Sequence, residues 1–280
     1  MTAKFILTPE QSELGKKSDY DPIYNPDKLF SIPRKEKREE IGIDSNQLPF
    51  YGFDAWNHYE VSWLNEEGKP IVALAEIIYG CDSPNIIESK SMKLYFNSFN
   101  NTNLKDEVHL ESLIREDLEK RVQGEVSVNI TPLNKIQDDT IFRSFSGICI
   151  DDLPVQCSVY TVEPSFLSAG NEEVEEIVFS DLLKSNCLVT HQPDWGSVQI
   201  SYKGKKIHRD GLLKYIVSFR NHNEFHEQCI ERIFMDILRQ CKPEELTVYG
   251  RYTRRGGLDI NPIRSTKKDF SSEYRRLCRQ

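Results

Sequence analysis

His109-Leu110-Glu111-Ser112-Leu113-Ile114-Arg115-Glu116-Asp117-Leu118 returns in pattern 120 residues later as Cys229-Ile230-Glu231-Arg232-Ile233-Phe234-Met235-Asp236-Ile237-Leu238. In both segments apolar residues fall at i, i+3, i+4 and i+8, the stripe of an amphipathic helix. The flanks repeat as well. Glu125-Val126-Ser127-Val128 corresponds to Glu245-Leu246-Thr247-Val248, each an alternating strand, and Ser98-Phe99 with Asn101 corresponds to Ser218-Phe219 with Asn221. A helix stripe alone arises readily by chance. Helix, strand and spacing held in register point to a duplicated module.

Each copy reads as a two-layer α+β unit. In the first, Tyr59–Leu64 and Pro70–Ile77 are strands around the turn Asn65-Glu66-Glu67-Gly68. In the second, Ser197–Tyr202 and Lys205–Ile207 flank Lys203-Gly204 in the same way. Antiparallel sheets with helices packed on one face suit this order better than a parallel doubly wound sheet. Residues 1–45 carry Pro9, Pro22, Pro26 and Pro33 with few periodic apolar positions and are expected to form an extended arm. Modules over 46–150 and 151–280 follow. The stretch from Thr131 to about Asn171 is expected to join them, with strand-like pieces such as Ser158-Val159-Tyr160.

Composition narrows the class. Of 280 residues, 38% are apolar and 29% charged, which describes a soluble globular chain. No apolar run approaches the ~18 residues of a membrane span, and the opening Met1-Thr2-Ala3-Lys4 does not read as a signal peptide. Seven scattered cysteines with no CxxC argue for free thiols in a reducing cytoplasm and against a disulfide framework or structural zinc. A net charge of −8 disfavours nucleic acid as a partner. The basic tail Arg275-Arg276-Leu277-Cys278-Arg279 is expected to be solvated. No GxGxxG opens a βαβ unit, so any nicotinamide binding is non-Rossmann.

The chemistry concentrates in Ser185-Asn186-Cys187-Leu188-Val189-Thr190-His191-Gln192-Pro193-Asp194-Trp195-Gly196. A cysteine in a polar turn, with an aspartate and an indole seven and eight residues on, has the setting of a nucleophile with a proton donor close by. Cys187 also reads as an inert packed thiol, and Asp194 as the turn residue that often follows proline. Phe225-His226-Glu227 reads as an ordinary helix start or as a heterocycle-binding group. The repeat fails at two places. Glu88-Ser89-Lys90-Ser91-Met92-Lys93-Leu94-Tyr95 has no counterpart near Arg209–Ile216, and nothing around 67–76 resembles the Cys187 turn. Copies that each keep different polar residues suggest one site built jointly.

Four segments, 88–95, 185–196, 225–227 and Arg255-Gly256-Gly257-Leu258-Asp259-Ile260-Asn261-Pro262-Ile263-Arg264, resemble in this order the 7-cyano-7-deazaguanine reductase family of nitrile reductases in its long, two-module form. The resemblance implies two tandem tunnelling-fold (T-fold) modules related to GTP cyclohydrolase I. It implies NADPH-dependent reduction of a nitrile to a primary amine, two NADPH per turnover and no metal, in the making of queuosine for tRNA modification. Cys187 would form a thioimide with the deazapurine substrate, and Asp194 would serve as general acid. Ile87, Glu88, Ser89, Phe225, His226 and Glu227 would bind the substrate; Ser89, Lys90, Arg255 and Gly256 would hold NADPH. A cytoplasmic homodimer that engages neither nucleic acid nor membrane completes the expectation. Three rivals stand beside it: a cysteine hydrolase or acyl transferase using Cys187 with His191 or His226 as base, a non-catalytic purine or pterin binding module, and a zinc cyclohydrolase.

Overall fold

The computed structural model describes residues 21, 23–136, 144–270 and 276–280. They form two compact units that are not contiguous in sequence. The first takes the described residues through Glu39, with 55–136 and 254–259; the second takes 40–54, 144–253 and the described residues from Ile260 onward. Against modules over 46–150 and 151–280, segments 46–54 and 144–150 therefore fall to the second unit and 254–259 to the first, and the end of the arm, 40–45, goes with the second.

In the first unit β1 (Ser31–Pro33) is followed by α1 (Lys35–Glu40), whose last residue falls to the second unit, and β2 (Tyr51–Leu64) enters the unit at Ala55. β3 (Pro70–Gly80), β4 (Asn85–Ile87), α2 (Ser89–Asn97), α3 (Glu107–Val122) and β5 (Val126–Pro132) complete it. The sheet order is β5-β3-β2, with β3 and β5 antiparallel, and β1 pairs with β4 as a separate ribbon. β3 buries alternate residues Ala73, Ala75, Ile77 and Tyr79, the period of a strand covered on one face. Asp106 caps α3 by accepting from the His109 N–H at 2.8 Å. Leu110, Ile114, Leu118 and Val122 form the buried stripe that packs on β5.

The second unit contains β6 (Ile148–Cys149), β7 (Ala169–Ser180), β8 (Lys184–Asn186), β9 (Pro193–Ile207), α4 (Arg209–Ser218), α5 (His226–Cys241), β10 (Glu245–Tyr252) and β11 (Leu258–Ser265), whose first two residues belong to the first unit. Strand order is β11-β10-β9-β7-β6, with β8 also on β9. The pairings are antiparallel except the two-residue parallel contact of β6 with β7. α5 packs on β10 as α3 does on β5.

The duplication extends further than the apolar stripes reveal. The Tyr95 hydroxyl donates to Asp117 at 2.8 Å, and the Tyr215 hydroxyl to Asp236 at 2.7 Å, tying the paired helices of each unit together. Ser98 Oγ donates to the Tyr95 carbonyl and Ser218 Oγ to the Tyr215 carbonyl, each at 2.6 Å. Each serine also accepts a backbone N–H, from Asn25 at 3.0 Å and from Glu163 at 3.1 Å. Both donors are N-caps of short 3-10 turns, Pro26–Lys28 and Pro164–Phe166. An arm element therefore precedes each module.

Several expectations are corrected. Lys203-Gly204 is not a hairpin turn, because β9 runs straight through it and pairs with both β7 and β10. Glycine suits position 204 for another reason: its φ is 142°, and a Cβ there would lie 3.1 Å from the Pro243 Cα. Ser158–Tyr160 is not a strand. The described part of the arm is not simply extended, since it carries β1, α1 and a 3-10 turn, and it buries Leu29, Ile32, Ile41 and Ile43. Residues 1–20 and Pro22 of that arm lie outside the described residues. The tail is solvated only in part: Cys278 and Arg279 are exposed, whereas Leu277 and the adjoining Gln280 are 5% and 3% exposed.

A buried ion network fastens the second unit. The Arg264 guanidinium, wholly inaccessible, meets Asp54 at 2.8 Å and Glu231 at 2.9 Å, and also donates to the Phe53 carbonyl at 3.2 Å. Replacing Arg264 with Met leaves two buried carboxylates without their cation, and the expected cost is about 3–5 kcal/mol in urea unfolding. A loss under about 1 kcal/mol would show that water or neighbouring groups already satisfy Asp54 and Glu231.

Candidate active site

β8 and β9 form a hairpin in the register Lys184↔Trp195, Ser185↔Asp194 and Asn186↔Pro193. Between them the Cys187 N–H donates to the Gln192 carbonyl at 2.9 Å, and the His191 N–H donates to the Cys187 carbonyl at 3.1 Å. His191 takes a left-handed conformation, φ 55°, and its Nδ1 lies 3.0 Å from Asn223 Oδ1. The first unit shows what this loop departs from. There Asn65 N–H donates to the Lys69 carbonyl, and Gly68 N–H to the Asn65 carbonyl, both at 2.9 Å. Isolated bridges hold the two hairpins alike, Leu64 with Asn103 and Asn186 with Asn223. Cys187 thus occupies the place of Asn65, in a loop one residue longer, closing over 187–192 where the other closes over 65–69. No sequence match exposes this equivalence, because only the backbone is shared.

The Asn186 bridge also brings in the second motif. The Asn186 N–H donates to the His222 carbonyl at 2.8 Å, and the Glu224 N–H donates to the Asn186 carbonyl at 3.1 Å. Phe225 follows as N-cap of α5, with His226 and Glu227 in its first turn. The triplet is a helix start, and it is held beside the Cys187 hairpin. His226 Nε2 stands 3.5 Å from Asp194 Oδ1, and the His226 ring packs on Tyr252 with centroids 4.1 Å apart. Asp194 and Glu227 are buried, at 3% and 2% exposure, and Cys187 keeps 7%. Asp194 does not owe its burial to the neighbouring indole: strand alternation turns Trp195 to the other face, where it is 40% exposed with Arg220 over its ring.

Tyr252 and Cys229, both fully buried, lie close to each other and to Ser185, and burial pushes both groups far above their usual range. Neither these groups nor Ser185 stand out in the sequence, since their partners come from separate strands and a helix. His222, Glu224 and Cys229 place three donor atoms within 4.8 Å of one another. The Glu224 carboxylate in that trio already accepts from Arg232 at 2.7 and 3.0 Å and lies 2.8 Å from His222. Although burial pushes Glu224 up, these partners hold its carboxyl below the usual range.

The remaining predicted residues belong to the first unit. Ile87 closes β4 and is buried. Glu88, 1% exposed, caps α2 with both oxygens, accepting from the Lys90 N–H at 2.8 Å and the Ser91 N–H at 2.9 Å. Burial pushes its carboxyl up, and the two N–H groups oppose that. Glu88 therefore fills the helix-terminal anion site itself. A ligand phosphate at this helix start would meet the side chains of Ser89 and Lys90, not the amides of α2. Gly256 and Gly257 both have positive φ, 58° and 78°, in a turn closed between Arg255 and Leu258. A Cβ on Gly256 would fall 2.8 Å from Lys93 Nζ, and one on Gly257 would fall 2.6 Å from the Glu60 carboxyl carbon. The glycine turn thus lies against α2, the helix that carries Ser89 and Lys90. Lys93, absent from the residues predicted for NADPH, joins them there. A glycine-lined approach with Lys90, Lys93 and Arg255 in one unit fits an anionic dinucleotide.

Residues 20–130 match the family model described as the N-terminal part of nitrile reductase, 7-cyano-7-deazaguanine-reductase, and residues 193–271 match that of a QueF-like protein. Nitrile reduction is thus the class of chemistry. A relative from Legionella pneumophila (strain Lens), an NADPH-dependent 7-cyano-7-deazaguanine reductase, is 64% identical over 96% of this chain and 95% of its own length. Relatives bearing the same name from Delftia acidovorans and Cupriavidus metallidurans are 54% and 53% identical over 92% and 98% of this chain, and 94% and 100% of theirs. The chain belongs to the NADPH-dependent 7-cyano-7-deazaguanine reductase family, oxidoreductases that act on a nitrile. Among the described residues no helix is long and apolar enough to cross a membrane.

Proposed function

We propose that this chain reduces the nitrile of 7-cyano-7-deazaguanine to the aminomethyl group through a thioimide on Cys187, supplying a queuosine precursor for tRNA modification. The observation that carries the reading is the single hairpin holding Cys187 in its loop and Asp194, buried against His226, on its outgoing strand. The Cys187 sulfur adds to the nitrile carbon, one C–N π bond opens, and Asp194 delivers the proton that the nitrogen takes up. NADPH, when bound, supplies hydride, and two are needed because nitrile to amine takes two hydrides and two protons. His226 steers Asp194. Glu227 accepts the paired N–H donors of the guanine-like edge, and Phe225 stacks on the ring. Ile87, Glu88 and Ser89 complete substrate recognition; Ser89, Lys90, Arg255 and Gly256 hold NADPH. The same reading makes the chain a cytoplasmic homodimer of tunnelling-fold modules, with no metal and no nucleic-acid or membrane partner.

The test is stoichiometry. Two NADPH oxidised for each nitrile lost, with the primary amine as product, support the proposal. Nitrile loss without NADPH oxidation, yielding amide or acid, would identify a thiol hydrolase instead. A Glu227→Gln variant turns one acceptor into a donor facing a donor edge. Its affinity for the nitrile should fall by about 2–4 kcal/mol, with NADPH binding little changed. Equal losses for both ligands, by equilibrium titration, would make Glu227 a structural residue.

A further inference from the structure

We infer that the segment 276–280 is a clasp that positions the hairpin of Cys187 and Asp194, an inference that rests on the role proposed for Asp194. Arg279 Nη2 donates to the Asp181 carbonyl at 2.8 Å, to Ser197 Oγ at 3.1 Å, and to the Gly196 carbonyl. Asp181 leads through Leu182 and Leu183 into β8 and Cys187, whereas Gly196 lies two residues past Asp194 on β9. One guanidinium therefore laces both arms of the hairpin at its base, where the Gly196 N–H also donates to the Leu183 carbonyl at 2.9 Å.

Gln280 fixes the neighbouring strands. Its side chain donates to the Tyr252 carbonyl at 3.0 Å and to Asn261 Oδ1 at 2.6 Å, and accepts from the Leu277 N–H at 3.0 Å. Arg276 Nε donates to the Gln280 carbonyl at 3.0 Å and folds the segment onto itself. Tyr252 is the residue on which His226 packs, and it pairs with Gly196 across β9 and β10. Its ring is so close that a Cβ on Gly196 would lie 3.1 Å from Tyr252 Cδ1. The segment thus grips the strand of Asp194 and the residue that supports His226, and so sets how the carboxyl meets the imidazole. Arg279 and Gln280 act through the strands and Tyr252, and are positioning residues.

The test uses the full chain with Arg279→Ala and Gln280→Ala combined. The readouts are the rate of Cys187 adduct formation with 7-cyano-7-deazaguanine in the absence of NADPH, its pH profile, and nitrile affinity. The clasp predicts an adduct rate lower by about tenfold or more, a pH profile of altered shape, and affinity within about twofold, because proximity and orientation weigh on the reacting step more than on binding. Arg279→Lys, which can still reach the same carbonyls, should recover much of the rate. In an Asp194→Asn background the double change should slow the reaction little further, since groups acting as a unit are not additive. A parental rate and pH profile, even with a lowered melting temperature, would reduce the segment to a structural strap. Should the double variant fail to fold, Gln280→Asn, one methylene shorter, is read in the same way. A slow Asp194→Asn beside a parental tail variant sinks the clasp alone; a parental Asp194→Asn sinks the reading of Asp194 beneath it.

Discussion

The Cys187→Ala variant is expected to fold, to bind 7-cyano-7-deazaguanine within about tenfold of the parent, and to lose reduction by a factor on the order of 10⁴ or more. Folding survives because the loop is closed through the backbone N–H and carbonyl of residue 187, both of which alanine keeps. Binding should survive because the proposed recognition rests on Glu227 and Phe225, not on sulfur. The loss is large because a nitrile carbon accepts hydride poorly until a nucleophile has added to it, and no other thiol replaces Cys187 at that loop. Steady-state NADPH oxidation and a thermal melt decide the matter together. An unfolded variant would instead make Cys187 a packing residue, in keeping with its low exposure.

Asp194→Asn comes second in expected size. The amide has the shape of the carboxyl and can still face His226, so the variant folds, but it has no acidic proton to deliver. Turnover falls about 10²–10⁴-fold, the usual worth of a positioned general acid, with nitrile affinity close to the parent's. Rates measured from pH ~6 to ~8 give the result, a range over which an ordinary carboxyl is ionised and only a held proton counts. Turnover near the parental level across that range would remove Asp194 from the mechanism.

What the sequence discloses follows from what burial imposes on it. The stripes of α3 and α5 are legible because each helix must hide one face. β5 and β10 are legible because their pairing alternates. β7 escapes notice because Glu172, Glu173, Glu175 and Glu176 crowd it. On the strand two of these acids meet cations, Glu172 with Lys206 at 2.9 Å and Glu176 with Arg209 at 2.6 Å, and burial of Glu176, offset by Tyr202 and Arg209, leaves its carboxyl below the usual range. Gly204 misleads because glycine signals both a turn and a close approach, and only the distance to Pro243 separates the two. At the candidate site, Cys187 and Asp194 are legible because a polar, local hairpin carries both. Tyr252, Ser185 and the clasp of 276–280 are not, since each owes its place to partners from distant strands. Lys93 lies between these cases: it sits within a quoted motif, yet only the glycine turn pressed against it draws it toward Arg255.

The most direct measurement of the central claim is the intact mass of the chain after mixing with 7-cyano-7-deazaguanine and no NADPH. The account predicts a mass gain of one nitrile molecule, borne on the peptide that contains Cys187, absent from Cys187→Ala and discharged as amine when NADPH is added. An unmodified mass at saturating nitrile, from protein that turns over when NADPH is supplied, would contradict covalent catalysis through Cys187.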